Sequence, residues 1–246
     1  MTEPAHLPLR EIERRVGALP GVRPRRIVPL LLPVWAVEVT ATVRESQSYD
    51  VLDRYLSRAV AEGRLDRTEE LAEFLGVEQP MVARVVRHLA GIGHLVRDGD
   101  KLSLTDLGRR SVADGRRYQL AAGRRMLLRF DGFTGGPVPY ATAIHTVWLT
   151  QPALRLTDGT TFHEITEISE ISDDAVERLL ERPDADDFTG PVVPVSATIN
   201  SVKKQYLPIY LVECDSEDDL VFGRAMDGPD PYLSGFIPFL SGNRET

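Results

Sequence analysis

The side chains with the clearest chemistry lie in one short segment, residues 79–89. Its apolar residues recur at the spacing that forms one face of a helix: Val82, Val85, Val86 and Leu89. If that face is buried, a second set of side chains is left to solvent: Gln79, Met81, Ala83, Arg84, Arg87 and His88. Arginine and glutamine pair bidentately with guanine and adenine edges in the major groove of DNA. Arg84 is therefore the first candidate for base contact, and Gln79 is the second.

The residues before this segment predict the elements that position it. Residues 68–75 predict a preceding helix, and Asp66 and Glu69 have the spacing of a capping box at its start. Gly76 supplies the left-handed backbone that a tight turn between helices requires. Pro80 lies in the first turn of the following helix, where proline is tolerated. These signals predict two short helices packed across a turn.

The residues after the segment predict a hairpin and a further helix. Residues 94–97 and 101–104 form two short strand-like runs, and Asp98-Gly99-Asp100 between them is typical of a hairpin turn. Thr105 is a suitable N-cap for a helix that continues to about Gln119.

Together these elements resemble the winged helix-turn-helix modules of small bacterial regulators, over residues 48–118. The resemblance implies a module that contacts duplex DNA with its third helix, while Arg97 and Lys101 on the wing contact phosphate or the minor groove. Arg109, Arg110, Arg116 and Arg117 after the wing are expected to extend the phosphate contact. The predicted DNA-binding set is Gln79, Met81, Arg84, Arg87, His88, Arg97, Lys101, Arg109 and Arg110.

Charge is distributed unevenly along the chain. Residues 1–129 contain 22 Lys and Arg against 17 Asp and Glu, whereas residues 130–246 contain 7 against 20. The difference predicts two surfaces, one able to approach a polyanion and one suited to a basic partner. Residues 48–118 hold 12 basic and 12 acidic residues, although dedicated DNA-binding domains are usually basic. A module with equal numbers of basic and acidic residues is also compatible with binding another protein.

Residues 35–43 alternate between apolar and polar side chains, which predicts a half-buried strand. A lone strand is not stable, so we expect it to pair with strands of the C-terminal half, for which residues 143–149 and 207–214 are candidates. The predicted fold class is α+β. Its parts are a basic N-terminal segment and strand (1–47), a winged helix-turn-helix (48–118) and an acidic β-rich domain (119–246) that includes the strand at 35–43.

The sequence predicts no catalytic or metal site. Residues 163–167 begin like an HExxH zinc motif, but Glu167 stands where the second histidine is needed. No set of nucleophile, base and orienting acid is evident. We therefore expect a non-enzymatic protein without catalytic residues, metal ligands or cofactors.

Cysteine content and hydropathy predict the location of the protein. Cys214 is the single cysteine, so the chain has no internal disulfide, and a reducing cytoplasm is the natural setting. No secretory signal opens the chain. The longest apolar run, residues 27–37, contains Pro29 and Pro33 and is shorter than the roughly 20 residues that span a bilayer. We expect a cytoplasmic protein without membrane contact.

Two functions are compatible with this sequence. The first is a DNA-binding regulator or accessory protein of transcription, whose acidic domain senses a ligand, forms a homodimer or docks a partner. A dimer is expected if the protein reads a palindrome. The alternative is an adaptor or structural subunit of a multi-protein assembly, such as a defence or DNA-processing complex, whose acidic half binds a basic protein. An enzyme of unrecognised fold in the C-terminal half is a third hypothesis.

Overall fold

The computed structural model describes residues 6–144, 146–166, 168–215, 218–223 and 227–240. The chain is a mixed α+β protein, about 32% helix and 35% strand with a mixed sheet, which confirms the predicted class at that level. In chain order the elements are α1 (Leu9–Gly17), β1 (Pro24–Gln47), α2 (Val51–Glu62), α3 (Thr68–Leu75), α4 (Gln79–Gly91), β2 (Leu95–Asp98), β3 (Lys101–Leu104), α5 (Asp106–Asp114), β4 (Arg117–Asp131), α6 (Tyr140–Ala143), β5 (Leu154–Arg155), β6 (Thr161–Glu164), α7 (Ala175–Leu180), α8 (Asp186–Thr189), β7 (Val193–Cys214), β8 (Leu220–Phe222), α9 (Pro231–Ser234) and α10 (Ile237–Leu240).

The chain divides into two compact units. One unit, residues 42–124, contains α2 to α5 and the β2–β3 hairpin, and the other comprises residues 1–41 and 125–246. The long strands β1 and β4 each have residues in both units.

A six-stranded sheet is the framework of the unit formed by residues 1–41 and 125–246. Its strand order is β5-β6-β1-β7-β8, and β4 also pairs with β1. β1 runs parallel to β6 with Leu30 opposite His163, whereas β7 and β8 are antiparallel with Tyr210 opposite Phe222. The sheet therefore combines both kinds of strand pairing.

The central part of β1 is buried on both faces. Leu30 belongs to an apolar cluster that includes Leu233 of α9, and its neighbour Leu31 belongs to a second cluster that includes Ile12 of α1. A strand covered on both sides has a continuous apolar sequence instead of an alternating one. This explains why residues 27–34 carry no strand periodicity although they lie in the sheet.

Two strand predictions in this unit need correction. The strand predicted at 35–43 begins earlier, at Pro24, because both faces of its first half are covered and Pro29 and Pro33 are accommodated within it. The strand predicted at 143–149 is wrong for the residues of this range that the structure describes, 143–144 and 146–149. Tyr140–Ala143 is a helical turn, and of those residues only Leu149 makes an isolated bridge, to Tyr206. The strand predicted at 207–214 is confirmed as part of β7.

The unit of residues 42–124 has a core of its own. α2, α3 and α4 supply Leu56, Leu71, Val82 and Leu89, and the hairpin supplies Leu95, Leu102 and Leu104, all of them buried. Burial of an aliphatic side chain of this size contributes about 1.5–3 kcal/mol.

Two helix-end predictions in this unit are wrong. The capping box of Asp66 and Glu69 does not form, because α3 begins at Thr68 after Arg67 and has no side-chain cap. The backbone carbonyl of Asp66 instead accepts a hydrogen bond from the Leu102 N–H, which ties it to the hairpin. The helix predicted to continue to Gln119 ends at Asp114. The predicted Thr105 cap is confirmed, since its hydroxyl oxygen accepts the Gly108 N–H.

Candidate nucleic-acid interface

A left-handed glycine sets the turn between α3 and α4. Gly76 has φ +65°, and the next residue, Val77, donates its N–H to the carbonyl of Ala72 at 3.1 Å. α4 begins three residues after Gly76 and carries Pro80 in its first turn, where the missing N–H has no helical partner to lose. The turn is therefore built by local residues, as the sequence predicts.

α4 has one buried and one exposed face. The buried face consists of Val82, Val85, Val86 and Leu89, which pack into the core of residues 42–124. Five of the six side chains assigned to solvent are exposed, which confirms the prediction at those positions: Gln79, Met81, Arg84, Arg87 and His88. Ala83 is half-buried.

Arg84 and Arg87 are exposed cations of α4. Within the described parts of the chain, neither guanidinium has an ion pair or a hydrogen bond. Each retains five N–H donors in a planar fork, which suits base edges and phosphate oxygens. Met81, with 43% of its surface exposed, adds an apolar side chain to the same helix face.

Gln79 and His88, by contrast, have partners inside the unit. The Gln79 side-chain amide donates to the Glu69 carboxylate at 2.7 Å, across the turn between α3 and α4. His88 Nε2 lies 3.8 Å from a carboxylate oxygen of Asp53, which is buried in α2. A base contact by Gln79 would have to displace Glu69, so Gln79 is a weaker candidate than Arg84.

The cations of the β2–β3 hairpin lie at its tip. Asp98 and Lys101 are paired residues at the end of the two strands, and Gly99 between them has φ +59°. Arg97 Nε donates to the Gly99 carbonyl at 3.1 Å, and Lys101 Nζ lies 3.6 Å from the Asp66 carboxylate. Both side chains are exposed, but each is partly neutralised or held by its neighbour.

The two arginines of α5 differ in whether their side chains have partners among the described residues. Arg109 donates to the Leu104 carbonyl and pairs with Asp106, which fixes its guanidinium at the start of the helix. Arg110 is exposed and has no ion pair or hydrogen bond to its side chain among the described residues. Three of the nine predicted contact residues are thus cations without partners in the described part of the chain, namely Arg84, Arg87 and Arg110.

A buried carboxylate, Asp53, lies close to Arg117, which the sequence assigns to phosphate contact. Asp53 is 5% exposed, and its Oδ2 lies 3.6 Å from Arg117 Nη1 as well as near His88. Arg117 also donates to the Gln47 side chain, and Arg116 donates to the Ser46 hydroxyl at 3.3 Å. In the sequence, the i, i+3 spacing of Asp53 from the apolar Leu56 indicates that this carboxylate faces the core.

His94, at the base of the hairpin, is fully buried. Its Nε2 hydrogen-bonds the Tyr118 carbonyl, and its Nδ1 has no partner among the described residues. Burial lowers the pKa of His94, and the bond to the Tyr118 carbonyl offsets only part of this effect. His94 is therefore a neutral side chain of the core and not part of an exposed site.

The first two residues of the incomplete HExxH segment, His163 and Glu164, end strand β6 and therefore do not lie in a helix. The Glu164 carboxylate accepts hydrogen bonds from Lys204 at 3.2 Å and Tyr206 at 2.8 Å, while Glu167 lies outside the described residues. Across the described ranges, no three His, Cys, Asp or Glu side chains are grouped closely enough to hold a metal ion.

No family model matches the chain, and no curated protein or solved structure is significantly similar to it. None of the described helices has the length and apolar character needed to cross a bilayer.

Proposed function

We propose that residues 48–118 form a winged helix-turn-helix that binds duplex DNA, with α4 as the recognition helix and the β2–β3 hairpin as the wing. The observation that carries the proposal is the pair of exposed arginines on α4, Arg84 and Arg87, which have no partner in the described chain. A helix inserted in the major groove presents such side chains to base edges. The protein is then a cytoplasmic, non-enzymatic regulator or accessory protein of transcription.

The order of the elements supports this assignment. A helix, a turn with left-handed Gly76, a second helix and a two-stranded hairpin follow one another within residues 68–104. The hairpin places Arg97 and Lys101 at its exposed tip, where a wing contacts phosphate or the minor groove. Lys101 is held only by a 3.6 Å approach to the partly exposed Asp66, and such surface pairs cost little to exchange.

We expect Arg84→Ala and Arg87→Ala each to lower the affinity for duplex DNA by about 1 kcal/mol or more, roughly fivefold, because each removes a contact to base or phosphate. The measurement is a mobility-shift titration of random-sequence duplex at low salt. Arg58→Ala is the matched control, since Arg58 is an exposed arginine of α2 that already pairs with Glu62 at 2.9 Å. Unchanged binding in both α4 variants would remove this helix from the proposal.

A second candidate function is favoured by exposed apolar side chains. Residues 42–124 expose several large ones that lie outside the predicted DNA-contact set: Val51, Tyr55, Phe74 and Val96. Together with the neutral charge of residues 48–118, they suit an adaptor that uses this unit for protein contacts, while the acidic residues 130–246 bind a basic protein. The same titration separates the two functions, because an adaptor retains no affinity for random duplex at low salt.

A further inference from the structure

A second candidate site lies in the unit formed by residues 1–41 and 125–246. It is a cavity of about 140 Å³. Most of its lining residues are aliphatic or aromatic, and three of its side chains carry polar groups, namely Arg129, Tyr140 and Thr189. The residues that matter for its chemistry are Leu127, Arg129, Val138, Tyr140, Phe188 and Thr189.

Arg129 in this cavity is a cation without a counterion. Its guanidinium carbon lies 4.2 Å from the centre of the Trp148 ring, and its buried Nε has no hydrogen-bond partner among the residues that the structure describes. Within the described ranges, no carboxylate lies within ion-pair distance of it. Asp131, two residues away, accepts its hydrogen bonds from the backbone N–H groups of its own loop, including those of Phe133 and Gly136.

Partial burial of the Arg129 guanidinium raises the free energy of its charged form. Burial lowers the pKa of Arg129 to about 10, a direction that disfavours the charged form. The Trp148 ring face compensates for part of the lost hydration, but a ring supplies no hydrogen-bond acceptor in the guanidinium plane. The N–H donors of Arg129 therefore call for an acceptor that the described chain does not provide.

Thr189 supplies an independent observation at the same cavity. Its residue is 8% exposed, and its Oγ1 is buried without a hydrogen-bond partner. Buried hydroxyl groups are normally hydrogen-bonded, because leaving one unpaired costs free energy. Thr189 and Arg129 line the same cavity, and each carries a donor with no acceptor among the described residues.

We propose that this cavity binds a small organic monoanion, a carboxylate with an apolar body of about the size of benzoate. A cavity of about 150 Å³ accommodates benzene, which sets the size of the apolar part. A carboxylate matches the fork of Arg129 with two acceptor oxygens. A dianion is disfavoured because residues 130–246 carry 20 acidic side chains against 7 basic ones. The site goes beyond the proposed DNA contact, since ligand binding here needs no nucleic acid.

The experiment uses the full chain and benzoate as the probe. The sequence has two tryptophans, so Trp35→Phe leaves Trp148, beside Arg129, as the only indole reporter. We expect saturable fluorescence change with benzoate, at least tenfold weaker binding of the neutral isostere benzamide, and weaker binding of the dianion phenyl phosphate. Equal binding of benzoate and benzamide, tighter binding of phenyl phosphate, or no benzoate binding would each overturn the proposal.

Variants then test whether the Arg129 guanidinium and the Thr189 hydroxyl bind the carboxylate. Calorimetric titration with benzoate is expected to show at least tenfold weaker binding in Arg129→Met and about fivefold weaker binding in Thr189→Val. Arg155→Met is the matched control, because Arg155 is exposed on β5 and its loss changes the net charge equally. Arg129→Lys, which keeps the charge and loses the fork, covers the case in which Arg129→Met does not fold. Full benzoate affinity in either folded Arg129 variant would contradict the assignment.

Discussion

At the scale of single residues, partners decide which cations of residues 42–124 are available. Arg84 and Arg87 are five and eight positions away from Gln79 and are also exposed, yet within the described chain only Gln79 of these three is held, by a carboxylate of the preceding helix. The sequence predicts that all of these side chains face solvent, since that follows from helical periodicity. It does not predict the bond from Gln79 to Glu69, because that bond depends on how two helices cross.

His94 yields a residue-scale prediction with a defined sign. Its pKa is lowered in the folded protein by burial, so the unfolded chain binds the proton more readily. Stability is then fully present above the unfolded pKa of about 6.5 and is lost as pH falls below it. We expect the free energy of unfolding to decrease between about pH 7 and pH 5 with a slope of up to about 1.4 kcal/mol per pH unit.

The measurement is urea unfolding followed by helical circular dichroism across this pH range. His94→Gln is expected to reduce the pH dependence, since it removes the proton-binding group that differs between the two states. His163→Gln is the control, because His163 is an exposed residue of β6. A pH dependence that survives in His94→Gln and disappears in His163→Gln would contradict the buried neutral assignment of His94.

At the scale of elements, local signals predicted α3, α4, the hairpin and the start of α5. Gly76, Gly99 and Thr105 act within a few residues of their own position, so their effect can be inferred from the sequence. The misses arise from contacts between distant residues. The first half of β1 lost its alternation because both faces are covered, and the expected cap at Asp66 was replaced by its bond to Leu102 of the hairpin.

The turn at Gly76 gives the prediction that belongs to this scale. Gly76→Ala is expected to lower the free energy of unfolding by about 1 kcal/mol, because φ +65° strains any residue with a Cβ. Space does not contribute to the cost, since a Cβ at Gly76 would meet no atom within 4 Å. The measurement is urea unfolding of the full chain at neutral pH.

Gly91 offers the matched control for that substitution. It is the last residue of α4, it does not have positive φ, and a Cβ there also meets nothing within 4 Å. Gly91→Ala is expected to leave stability unchanged or to raise it by up to about 1 kcal/mol through helix propensity. If both substitutions had the same effect, the left-handed turn would not be what positions α4.

At the scale of the whole molecule, most of the negative charge lies in one half of the sequence. Residues 130–246 hold 20 acidic residues against 7 basic ones, so most of the cations that could meet a polyanion lie in residues 1–129. Among the nine predicted contact residues, three are exposed cations without an ion pair or hydrogen bond in the described chain, namely Arg84, Arg87 and Arg110. Many of the other basic residues are already paired with carboxylates. The protein is therefore expected to bind duplex weakly and mainly at low ionic strength.

This charge balance sets a number for the salt dependence of binding. Each phosphate neutralised contributes about −0.9 to the slope of log K against log salt concentration, so three free arginines give about −2.7 per chain and about −5.4 for a dimer. The double variant Arg84→Ala/Arg87→Ala should reduce the magnitude of the slope by about 1.8 per bound chain, whereas Arg58→Ala should leave it unchanged. Mobility shifts of one duplex over a salt series measure all three slopes. A slope near zero for the unmodified chain would favour the adaptor, because a duplex-binding surface must release counterions.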